Sequence, residues 1–129
     1  MVEVQTKIIK GRIFVAQIVE DDIFHLHFLS NELAIDSDYR GGYEAYDKLR
    51  EGLRMNVIVE NGKYTVIDRS AREYLEKNKF EANAAAIVMH SIGQRIIYNF
   101  YIKFRDQNYP IKAFGNFEKA KEWLRSLNV

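Results

Sequence analysis

From residue 55 to the end, the hydrophobic period of this chain switches repeatedly between that of a strand and that of a helix. Met55 to Val59 is a short β-branched run, and Ala71, Tyr74 and Leu75 then recur at helical spacing. Ala84 to Met89 is apolar throughout, as a strand buried on both faces would be. Ile92, Ile96, Ile97, Phe100, Tyr101 and Phe104 return to helical spacing, with Ser91 placed to cap them. Ile111 to Phe114 is a short strand, and Phe117, Ala120, Trp123, Leu124 and Leu127 form a last helical face. Alternation of this kind implies parallel strands joined by right-handed helical crossovers.

The first third reads differently. Val4 to Ile9 alternates loosely up to a turn at Lys10-Gly11. Ile13 to Ile18 and Ile23 to Leu29 are β-rich runs joined by the acidic turn Glu20-Asp21-Asp22, which predicts an antiparallel hairpin. In the second run Phe24, Leu26 and Phe28 share one face, and Ile23, His25 and His27 share the other. Tyr39, Tyr43, Tyr46, Leu49 and Leu53 then predict a helix from Asp36 to Leu53, capped by Asp36 or Ser37. Gly41-Gly42 weakens that helix by ~1 kcal/mol per glycine, so its start could slip toward Tyr43. Asp68 is placed to cap the next helix. Two readings of the stretch before it compete: Asn61-Gly62 makes Met55 to Ile67 a hairpin, or Lys63 to Ile67 is a loop leading into the helix. The expected architecture is α/β, with a mixed, mostly parallel sheet begun by an antiparallel hairpin and about four helices packed against it. Residues 1–129 form a single domain.

Composition narrows the function classes. Among 129 residues there is no Cys, which excludes a disulfide framework, a thiolate metal site and a cysteine nucleophile. No apolar run approaches the ~18 residues of a membrane span, and the N-terminus lacks a signal-peptide pattern, so a cytoplasmic address is expected. The last third, residues 91–129, carries a net charge of +4, but the whole chain carries +1. Its pI of 7.9 lies below the ~9 typical of dedicated nucleic-acid binders, so nucleic acid is not an expected partner.

Few residues suggest chemistry. There is no Gly-x-Ser-x-Gly, no Walker loop and no Gly-x-Gly-x-x-Gly, so no enzyme is expected and no cofactor. His25 and His27, two apart on a strand, have the spacing of metal ligands, but a third ligand is needed. Glu20, Asp22 or His90 could supply it only if folding brought one of them close; otherwise the two rings are an ordinary half-polar strand face, and no metal is expected. Tyr39, Tyr43, Tyr98, Phe100 and Tyr101 are candidates for an apolar pocket or a contact surface, because a helix apolar most of the way round is either fully buried or carries a second surface.

One junction resembles a known family. Val57-Ile58-Val59-Glu60, followed after seven residues by Asp68-Arg69-Ser70-Ala71, is similar to the central motif of STAS domains of the SpoIIAA, anti-sigma-factor-antagonist type. In that motif a strand ends in an acidic residue and Asp-Ser-Ser-Gly opens a helix. Glu60 stands at the strand end, and Ile67-Asp68 at the Ile-Asp of the motif. Ile111 to Phe114 followed by Ala120-Lys121-Glu122-Trp123-Leu124 is similar to the ending of small single-domain members. In phosphorylated members the first Ser of the motif receives the phosphate; that position is Arg69 here, and Gly is replaced by Ala71. The resemblance implies a STAS-like fold and a non-enzymatic regulatory module that binds a protein partner, such as a regulator or kinase. Asp68, Arg69, Ser70 and Arg72 would form its docking or phospho-site, with a homodimer as a further arrangement. The alternative reading is a carrier or sensor of a lipid or another apolar or anionic ligand, held among the aromatic helices.

Overall fold

The computed structural model describes residues 7–20, 22–102 and 109–127. The start of the expected first strand, at residues 4–6, and Phe104 lie outside them, as do the side chains of Ile97, Phe100 and Tyr101. Six strands form one sheet: β1 (Ile8–Lys10), β2 (Phe14–Val19), β3 (Ile23–Phe28), β5 (Met55–Glu60), β7 (Ala82–Val88) and β8 (Ile111–Phe114), in that spatial order. The first three are antiparallel neighbours, and β3, β5, β7 and β8 run parallel. Four helices complete the fold: α1 (Asp36–Leu49), α2 (Arg69–Lys77), α3 (Ile92–Ile102) and α4 (Phe117–Ser126).

Strand alternation divides the core in two. Phe14, Phe24, Leu26, Phe28, Val57, Val59 and Ala85 face α1 and α2, with Tyr39 and Tyr46 of α1 and Ala71 of α2 buried against them. Phe24 is fully buried, with its ring 5.0 Å from Tyr46 and 6.1 Å from Phe80. The Tyr46 hydroxyl donates to the Glu81 carbonyl at 2.6 Å and accepts from the Met55 N–H at 3.1 Å. It therefore ties the end of α1 to the entry of two strands while its ring fills the core. Helix α1 does start at Asp36. Gly42 explains the tolerated glycine pair, because a Cβ there would come within 2.7 Å of the Leu26 side chain. The missing side chain lets α1 lie close on β3. The helix ends at Leu49 rather than Leu53; Gly52 adopts φ +81 just beyond, and Leu53 is exposed.

The opposite face carries Ile23, Ile58, Ala84, Ala86 and Val88, covered by Ala120 and Leu124 of α4. Helix α3 runs along β8, where the Ala113 N–H donates to Asn99 Oδ1 at 2.9 Å. Its first turn leaves Ile92 and Ile96 exposed, as expected of a helix apolar on more than one side.

Neither reading of residues 61–67 describes the structure fully. Val66–Ile67 is a strand, β6, but it does not return along β5. It pairs in parallel with β4 (Leu33–Ala34), in the register Leu33 to Val66 and Ala34 to Ile67. Each strand of this ribbon runs straight into a helix, β4 into α1 and β6 into α2. Gly62 permits the crossing, since a Cβ there would lie 2.5 Å from the backbone of Leu29 and Ser30.

Candidate functional site

The β4–β6 ribbon sets two helix N-termini side by side. Asp68 caps α2 as the sequence predicts: its Oδ1 accepts the Ala71 N–H at 2.8 Å. It also accepts from the Ser70 hydroxyl at 2.7 Å. These bonds, the Ala71 one first, hold the Asp68 carboxyl below the usual aspartate range. Ser70 Oγ in turn accepts the Asp36 N–H at 3.1 Å, the first amide of α1. Ser70 is thus the clasp between the two helix starts, partly buried between the carboxyl groups of Asp68 and Asp36. Arg69 and Arg72 project into solvent, Arg69 with an ion pair to Glu73 at 3.0 Å.

The cap of α1 is different from the one expected. Neither Asp36 nor Ser37 occupies the cap position, which falls to Ile35. Asp38 reaches back instead and accepts the Ile35 N–H at 2.9 Å. Asp38 is buried, and Arg12 holds its carboxylate with two bonds, at 2.6 and 3.1 Å.

Around this junction lies an apolar rim that the sequence reading did not single out. Leu29 is 45% exposed, Leu33 51%, Tyr64 73% and Val66 59%. All four belong to the ribbon or to the loops leading into it, which are laced together by Lys63 N–H to Ser30 Oγ and Thr65 Oγ1 to the Leu29 carbonyl. Backbone pairing holds them outward, since Leu33 and Val66 are register partners.

The far face of the sheet brings together His25, His27 and Glu60. Strand parity puts both histidines on the α4 side, and the β3–β5 register sets Glu60 opposite His27. His25 Nε2 and Glu60 Oε1 are 2.9 Å apart. The two imidazole rings stack at 5.5 Å, and Phe117 of α4 lies 4.9 Å from His25. Burial pushes the His27 pKa down, and the hydrogen bond with His25 pulls that of Glu60 down. Of the three candidates for a third metal ligand, Glu20 and Asp22 sit at the far end of β3, paired with Lys121 and Arg125 of α4. His90, at the exit of β7, is not among the donors that cluster with His25 and His27, and Glu60 takes that place.

The tyrosine ridge of α1 is mostly core. Tyr39 is 2% exposed, its ring 4.5 Å from Phe28, and burial pushes its pKa far up. The charge of Tyr98, on α3, adds to that upward push. Tyr43 packs on Phe80 at 4.0 Å and lines a shallow cleft of about 200 Å³ with Arg50 and Glu81. A second cleft, about 270 Å³, lies between β5 and α4 beside Met55 and Leu124. No helix among the described residues is long and apolar enough to cross a membrane.

An antiparallel start, a parallel continuation and a strand-to-helix junction capped by Asp68 define an α/β domain of the SpoIIAA-like class. A solved structure supports this directly: an uncharacterized protein of the DUF3478 family with a SpoIIAA-like fold, from Shewanella loihica PV-4. It superposes with a TM-score of 0.62 over 96% of this chain and 98% of its own, at 15% identity, which makes the likeness one of fold. The chain itself belongs to the family DUF7793, described as a domain of unknown function, whose model matches residues 17–128. No curated protein matches it.

Proposed function

We propose that this chain is a non-enzymatic regulatory module that docks a protein partner at the β4–β6 junction. The observation that carries the reading is the rim of Leu29, Leu33, Tyr64 and Val66, large apolar side chains exposed together at one end of the sheet. Patches of this kind on a small domain mark interaction surfaces. Lys63, Arg69 and Arg72 stand beside it, so the matching partner surface is an apolar ridge flanked by carboxylates. A phosphate on Ser70 would meet Asp36 and Asp68 at close range, so the reading rests on apolar docking and not on a phospho-switch. Among the described residues, the clefts of about 200 and 270 Å³ are smaller than the ~300–1,000 Å³ of small-molecule sites, which supports docking over carriage of a lipid.

The test compares capture from the source cell by wild type, Leu33→Asp, Val66→Asp and Ile96→Asp. A partner held by wild type and by the α3 control Ile96→Asp, but lost with both ribbon variants, supports the junction. A partner that binds the ribbon variants as well as wild type removes the proposal. Ser70→Glu belongs in the same series: it should weaken capture by disturbing the clasp, and tighter capture would instead favour a phospho-switch.

A further inference from the structure

We propose that His25, His27 and Glu60 form a binding site for a divalent transition-metal ion of the zinc class. One donor atom from each of the three lies within 4.8 Å of the others. Zinc holds imidazole nitrogens at ~2.0–2.1 Å and carboxylate oxygens at ~2.0–2.2 Å, so donors in a filled tetrahedral site are about 3.3 Å apart. His25 and Glu60 are already closer than that, at 2.9 Å. The third donor, on His27, lies within 4.8 Å of these two and has to close to that spacing when the ion binds.

The backbone makes this triangle. His25 and His27 are two apart on β3, and the parallel register delivers Glu60 beside His27. His27 and Glu60 sit near the carboxyl ends of β3 and β5, where open α/β sheets characteristically bind ligands. Two imidazoles and one carboxylate suit zinc and its neighbours rather than magnesium or calcium, which prefer an all-oxygen shell. The protonation states agree with the geometry: burial favours neutral His27, and the bond with His25 favours ionised Glu60. Phe117 closes the apolar side over His25, while His27 and Glu60 remain partly exposed and give the ion a way in. Binding replaces the His25–Glu60 hydrogen bond: neutral His25 carries its ring proton on Nδ1, so that Nε2 offers its lone pair beside the Glu60 carboxylate, and both atoms become ligands. Three protein donors leave at least one position for water or an outside ligand. The site is independent of the docking surface, which lies on the ribbon.

Zinc alone is the probe, titrated into the untagged full chain near neutral pH and followed by calorimetry. One equivalent should bind at micromolar concentration or tighter. Cobalt should produce visible absorption bands of a four- or five-coordinate site. His27→Gln and Glu60→Gln should each weaken binding by more than the ~10–100-fold typical of losing only an outer partner of a ligand. Circular dichroism of Glu60→Gln, which can still hydrogen-bond His25, checks that the fold is kept. Absence of micromolar binding by folded wild type would overturn the site. So would zinc affinity unchanged in both variants, which would place the ion elsewhere on the surface.

Discussion

The two faces of the sheet are built on different terms. On the α1–α2 side, aromatic rings meet aromatic rings: Phe24 with Tyr46 and Phe80, Phe28 with Phe14 and Tyr39, Tyr43 with Tyr74. On the α4 side the fully buried core is aliphatic, Ile, Val, Ala and Leu124, with Phe114, Phe117 and Trp123 only partly buried against it, and the same strands carry His27 and Glu60. The first face buries enough to fix the fold. The second is covered by α4 over only part of its length, and polar groups occupy the rest. Stability and chemistry are thus divided between the two sides of one strand, β3, residue by residue.

Truncating the aromatic side should cost most. Phe24→Ala removes a fully buried ring that touches both α1 and the strand-entry loop at Phe80. The expected loss is about 3–5 kcal/mol in urea unfolding. Its neighbour His25, on the other face, should lose clearly less when changed to Ala. Equal losses at 24 and 25 would erase the distinction between the faces.

Next comes Tyr46→Phe, which keeps the ring and deletes only the hydroxyl. The Met55 N–H and the Glu81 carbonyl would lose that partner. Losing hydrogen bonds of this part-buried kind costs about 0.5–1.5 kcal/mol each. Thermal or urea unfolding measures it. A change within error would mean that the aromatic face is held by ring packing alone.

The same division decides what the sequence made legible. Period and parity are local, so the hairpin, the opposite facing of Phe24 and His25 and the helix opened by Asp68 could all be read directly. The β4–β6 ribbon could not, because each strand has two residues and no period can show in so short a run. Glu60 was visible as the acid ending β5, but its meeting with His27 depends on a non-local parallel register. Asp38 was passed over as a cap because its role requires Arg12, 26 residues away, to stabilise it in the interior. The exposed rim was missed for a related reason: Leu33 and Val66 look like core residues until their backbone pairing turns them outward.

The smallest expected effect concerns the helix start on the aromatic side and appears only in acid. Asp68 titrates below the usual aspartate value near 3.8, because its ionised form accepts from Ala71 N–H and Ser70 Oγ–H. A carboxyl whose pKa is depressed by folding stabilises the native state fully above its unfolded value. That contribution is lost as pH falls from near 3.8 through the lower folded value. Asn caps about as well as Asp but does not titrate. Asp68→Asn should therefore leave the unfolding midpoint at neutral pH nearly unchanged and make the acid decline shallower. Midpoints measured from neutral pH down to the acid limb would show this as two curves that diverge only at the acid end. Parallel curves would mean that the bonds around Asp68 do not depend on its charge.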